Sequence, residues 1–148
     1  MKIYKIGIIG CGGIAQKMAA TLEKMKGVER YAVASRNQEK AEAFANKWGF
    51  TKAHGSYEEL ASDPEVDLIY IATPHAMHYD NAHMCIEKGK PVLCEKAFTA
   101  NARQAEDLLA FAKEKGVFIT EAIWTRYMPL SLKIQELLKE GVIGTPYT

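Results

Sequence analysis

The chain has 148 residues, 48% of them hydrophobic and 25% charged, with a formal net charge of +1. That is the composition of one globular domain with one substantial core, and it is too short for two domains of ordinary size. Acids and bases are interspersed, which excludes the concentrated basic face that nucleic-acid or membrane-surface binding needs.

Cys11, Cys85 and Cys94 show no CxxC spacing and read as free thiols. The apolar run at the N-terminus is broken by Lys5 and Gly7 and followed by glycines, unlike a signal peptide, and no stretch is long and apolar enough to cross a bilayer. The expected location is the cytoplasm.

Taken in chain order, short apolar runs alternate with helical patterns, the signature of a parallel sheet with crossover helices. Strands are expected at 3–9, 29–34, 68–72, 91–94 and 117–120, with a weaker one at 51–54. Helices are expected at 14–25, 38–47 behind an Asn37 cap, after Ser56 in a capping box with Glu59, and at 76–87, 102–115 behind Asn101, and 130–139. The order fits a doubly wound Rossmann sheet, 3-2-1-4-5-6. Residues 1–122 form the dinucleotide-binding domain of this reading. Residues 123–148 form a junction segment, irregular and aromatic over 121–129 and ending at Gly144–Thr148 as if a further strand were starting.

Gly10-Cys11-Gly12-Gly13-Ile14-Ala15 matches G-x-G-x-x-G/A and sits between the first strand and the first helix. Gly10 makes the tight turn and Gly12 admits a pyrophosphate. Gly13 and Ile14 open the helix whose N–H groups face that phosphate, and Ala15 keeps helix and strand close. Cys11 reads as a small residue in a tight space.

The end of the second strand carries Ala34-Ser35-Arg36 where an NAD enzyme usually has Asp or Glu. Ser35 can donate to a 2′-phosphate, Arg36 can pair with it or stack on the adenine, and Lys40 one turn later adds charge. The expected cofactor is therefore NADP, with NAD as the alternative. The missing acid also counts against an S-adenosylmethionine methyltransferase.

Thr73-Pro74-His75-Ala76-Met77-His78, followed by Gly89-Lys90-Pro91-Val92-Leu93-Cys94-Glu95-Lys96, resembles the T-P-x-x-x-H and G-K-x-V-x-x-E-K-P patterns of the Gfo/Idh/MocA oxidoreductases. Glu95-Lys96-Ala97-Phe98 with 121–129 is similar to that family's dihydrodiol and NADP-linked D-xylose dehydrogenase branch. The resemblance implies hydride transfer between nicotinamide and a carbinol carbon of a sugar, polyol or diol. It implies Lys96 as the catalytic residue, and it places Thr73, Pro74, His78 and Glu95 beside the cofactor. Lys96 lies just past the fifth strand, at the sheet edge where ligands bind, and an ammonium there can polarise a carbonyl oxygen or pass a proton.

Ala97 stands where the family has a proline, so a trans peptide is expected before it, since a non-proline cis bond costs about 3 kcal/mol. His75 and His78 form H-x-x-H without a nearby third ligand, so no metal is expected. Trp124, Arg126 and Tyr127 either wall the substrate cleft or pack the domain junction. The family's second domain is missing from this reading of the chain. A nucleotide-binding module without catalytic activity of its own is thus the competing expectation, with self-association through the C-terminal segment as one consequence.

Overall fold

The structure is a computed structural model that describes residues 2–145. Six parallel strands form one sheet in the order β3-β2-β1-β4-β5-β6. They are β1 (Tyr4–Ile9), β2 (Val28–Ala34), β3 (Lys52–His54), β4 (Leu68–Ile71), β5 (Val92–Cys94) and β6 (Ile119–Glu121). The helices are α1 (Gly13–Leu22), α2 (Gln38–Trp48), α3 (Tyr57–Ser62), α4 (His78–Glu87), α5 (Ala102–Lys115) and α6 (Pro129–Lys139). The Rossmann topology expected from the alternating pattern is the one found.

The helix starts follow from short polar side chains. Asn37 accepts from Lys40 N at 2.8 Å, Ser56 from Glu59 N at 3.2 Å, and Asn101 from Gln104 N at 3.0 Å. Each bond satisfies an N–H that the first helical turn leaves unpaired.

Alternate strand residues bury themselves on opposite faces. Ile9, Ile69, Ile71, Val92 and Cys94 pack against Leu60 of α3, Ala82, Cys85 and Ile86 of α4, and Leu108 and Ala112 of α5. On the other face, Ile6, Ile8, Val33, Tyr70 and Ala72 meet Ala15, Ala19 and Leu22 of α1 and Phe44 and Ala45 of α2. Three helices cover the first face and two the second. Around β5 and β6 that second face is lined by clefts rather than by a helix.

Several expected boundaries shift. The α1 helix ends at Leu22 rather than Met25, because Lys24 N and Met25 N turn back onto Thr21 O and Leu22 O. Val117 N still bonds to Ala112 O in the α5 terminus, so β6 starts only at Ile119. The helix expected from Ala76 begins as a 3-10 turn, His75–Met77, with α4 following from His78. Part of the stretch expected to be irregular is a second 3-10 turn, Trp124–Tyr127. The α6 helix after it has no buried residue. Most of the strand start expected at Gly144–Thr148 lies outside the described residues, and Gly144 and Thr145 belong to no regular element.

Candidate functional site

The carboxyl ends of β1, β2, β4, β5 and β6 bring the predicted site residues to one edge. Gly10 turns the chain with φ +103°, and its N–H is held by Ala34 O at 2.9 Å. A Cβ at Gly10 would lie 2.8 Å from Ala72 O, so only glycine fits between the ends of β2 and β4. Gly12 and Gly13 differ, for a Cβ on either meets nothing within 4 Å. Their edge is open. Gly12 caps α1 without a side-chain hydrogen bond, and the first turn carries no acid. The N–H groups that α2, α3 and α5 satisfy with Asn or Ser are left here facing the opening, an anion-binding arrangement into which a pyrophosphate fits.

Ser35, Arg36 and Lys40 flank this opening. Ser35 is buried, its N–H bonded to His54 O at 3.1 Å, while Arg36 and Lys40 are exposed. Cys11 joins them inside the turn, its thiol 3.8 Å from Ala34 O. Burial pushes that thiol upward, opposed by the Lys40 charge and a hydrogen bond with Ser35. Cys85 and Cys94 are fully buried, and burial raises both thiols to about 12.

On the β4 side, Thr73 is buried and its hydroxyl accepts from Asn81 Nδ2 at 3.0 Å. His78, the first residue of α4, has no exposed surface. Its Nε2 lies 2.9 Å from Thr73 O and its Nδ1 2.8 Å from Ala97 O, so both ring nitrogens face backbone carbonyls. The His75 and His78 rings meet edge-on at 5.4 Å, and no group of three His, Cys, Asp or Glu side chains converges among the described residues.

Glu95 and Lys96 follow β5 and part ways. The Glu95 carboxylate is buried, accepting from the Tyr70 phenol at 2.5 Å and from Lys96 N at 3.1 Å. Burial, then this hydrogen bond to Glu95, pushes the Tyr70 phenol well above its ordinary range. Lys96 is exposed. The Lys96–Ala97 peptide is cis, against the trans geometry expected without proline. Neighbours take the place of the ring here, for His78 holds the Ala97 carbonyl and Glu121 Oε1 accepts from Phe98 N at 2.8 Å.

Three clefts of roughly 310–380 Å³ surround the exposed Trp124. One is lined by Ile14, Met18, Tyr70 and Glu95, another by Lys96, Ala97, Glu121 and Thr125. Arg126 stands exposed in the same 3-10 turn and lines none of them. Tyr70, Asn81 and Glu121 escaped the sequence reading. The Tyr70 hydroxyl within the otherwise apolar run Leu68–Ile71 was the one available signal.

The fold and the open glycine turn define a dinucleotide-binding Rossmann domain. Residues 4–122 match the Gfo/Idh/MocA family, described as an oxidoreductase family with an NAD-binding Rossmann fold, and the chain belongs to that family. It is 46% identical to a D-xylose 1-dehydrogenase (NADP(+)) of Hypocrea jecorina, over 97% of this chain and 40% of that protein. It is 43% identical to the mouse trans-1,2-dihydrobenzene-1,2-diol dehydrogenase, over 93% of this chain and 42% of that protein. An NAD-binding oxidoreductase from Klebsiella pneumoniae superposes with a TM-score of 0.92 at 34% identity, covering 97% of this chain and 40% of that one. A 3-ketoreductase from Actinomadura kijaniata, in complex with TDP-benzene and NADP, gives 0.85 at 32%, covering 95% and 45%. The chain thus spans less than half the length of each.

Proposed function

We propose that this chain is the cofactor-binding part of an NADP(H)-dependent oxidoreductase acting on a carbinol carbon of a sugar, polyol or diol. The observation that carries the reading is the uncapped, open N-terminus of α1 beside Ser35, Arg36 and Lys40, with no acid at the end of β2. Gly10 makes the turn, Gly12, Gly13 and Ile14 hold the pyrophosphate, and the buried Ala15 keeps α1 close to β1. Ser35, Arg36 and Lys40 hold the 2′-phosphate, and Thr73, Pro74, His78 and Glu95 shape the nicotinamide end. The named activities of the Hypocrea and mouse relatives support the substrate class.

When bound, the nicotinamide supplies or accepts the hydride. Lys96 Nζ polarises the substrate oxygen and passes the proton that the alcohol gains or loses. Trp124 and Arg126 stand on the substrate side, with 1–122 as the cofactor domain and 123–148 as the junction. The unpaired thiols Cys11, Cys85 and Cys94 support a reducing compartment, the cytoplasm. Ile123, Trp124, Tyr127 and Met128 are 40–67% exposed, which favours a second reading for the 148 residues taken alone: cofactor binding without turnover, with self-association through this segment.

A fluorescence titration with NADPH and NADH tests the main reading. Charge-assisted hydrogen bonds contribute roughly 1.5–3 kcal/mol each, so NADPH should bind about tenfold tighter or better, and Arg36→Ala should erase most of that preference. Equal affinities for the two cofactors would refute it.

A further inference from the structure

We propose that Glu121 and His78 are positioning residues that together set the direction of Lys96. Lys96 sits on an exposed turn, and the residue after it, Ala97, has no ring to restrict its backbone. Four hydrogen bonds hold this turn. Lys96 N donates to Glu95 Oε2 at 3.1 Å, and His78 Nδ1 lies 2.8 Å from Ala97 O. Phe98 N donates to Glu121 Oε1 at 2.8 Å, and the Cys94 thiol reaches Phe98 O at 3.7 Å.

Cys94 ends β5 and Glu95 is the next residue, so both are contiguous with the turn and move with it. His78 and Glu121 come from outside. His78 is fully buried at the start of α4 and Glu121 half-buried at the end of β6, and they grip a carbonyl and an amide on successive residues. Through Nε2, His78 also reaches Thr73 O at 2.9 Å, so it ties the turn bearing Lys96 to the loop after β4. Glu121 lines the same cleft of about 330 Å³ as Lys96 and Trp124, so the side chain that anchors the turn also walls the space Lys96 faces.

This rests on the reading of Lys96 as the residue facing the nicotinamide, and two measurements separate the claims. Residual dipolar couplings in the cofactor-free chain give the direction of the Lys96 Cα–Cβ bond. Nuclear Overhauser contacts from Lys96 Hε to the nicotinamide ring protons, in the NADP+ complex, report where that direction leads.

In Glu121→Leu and His78→Phe the Lys96 couplings should change and the contacts should be lost, and Glu121→Leu should keep NADP+ affinity within about threefold of the parent. Glu121→Gln keeps an acceptor oxygen in place and should retain both signals. Should Glu121→Leu fail to fold, Glu121→Ser removes the acceptor without adding an apolar side chain. A role confined to stability lowers the melting temperature and leaves the couplings unchanged, and that result overturns the proposal. Contacts missing from the parent chain, with couplings that still change in the variants, overturn the nicotinamide assignment and leave the positioning roles standing.

Discussion

The phenol of Tyr70 donates to the carboxylate of Glu95 at 2.5 Å, joining β4 to the residue that follows β5 and precedes Lys96. Both side chains are buried, so Tyr70→Phe leaves a carboxylate with one partner fewer. That variant should lose about 1–3 kcal/mol in a denaturant melt, and Tyr70→Phe with Glu95→Leu should recover part of the loss by removing both polar groups. Unchanged stability of the single variant would deny the bond its structural weight.

Gly10 and Gly12 predict opposite outcomes. Gly10→Ala forces a side chain into a left-handed backbone 2.8 Å from Ala72 O and should cost about 1–3 kcal/mol of stability. Gly12 has φ −82° and ψ −173°, the extended geometry of a helix cap, with open space around it. Gly12→Asp should therefore fold as well as the parent or slightly better, since aspartate is a good cap, while its charge expels the pyrophosphate. Melting curves and NADPH titrations of the two variants check the contrast.

Acid sensitivity should trace to Asp63. Burial pushes its carboxyl up, but the hydrogen bond from Lys52, the Glu65 N–H and the charges of Lys52 and His54 outweigh this and leave it below the ordinary range. A carboxyl held low in the folded state stabilises the fold fully above about pH 4, its unfolded value, and that contribution fades as pH falls through the folded value. Asp63→Asn should cost about 1 kcal/mol near neutrality and give a stability profile flatter than the parent's at acid pH. A parallel profile for the two proteins would place the acid sensitivity elsewhere.

Turnover should need more chain than these residues. The 148-residue chain should bind NADPH yet oxidise no sugar or diol, because Trp124 and the clefts around it stand open to water. In a longer form, Lys96→Met should keep NADPH affinity and lose most of kcat. A near-parental kcat would remove Lys96 from the reaction.

What the sequence made legible were the features encoded locally. The glycine turn, the alternation of strands and helices, and the caps Asn37, Ser56 and Asn101 each lie within a few residues of what they specify. The turn at Lys96 was not legible, since His78 and Glu121 act across 19 and 23 residues of chain, from elements that meet only once the sheet is assembled. Ala97 by itself argued for the wrong peptide geometry because its immediate neighbours hold no trace of those partners. Glu95 read as a cofactor ligand by resemblance, and the structure adds the Tyr70 partner that accounts for its burial.

The two tryptophans give this protein a built-in pair of optical reporters. Trp48 ends α2 with its indole nitrogen buried, packed against the apolar face that unfolding would disperse, so its emission follows the folded state. Trp124 is 61% exposed among the clefts beside Glu95 and Lys96, so a reduced nicotinamide bound there as proposed would lie within range of energy transfer. On that reading a single spectrum should carry a blue component tied to integrity and a red one tied to occupancy, so that ligand binding could be followed with no dye attached.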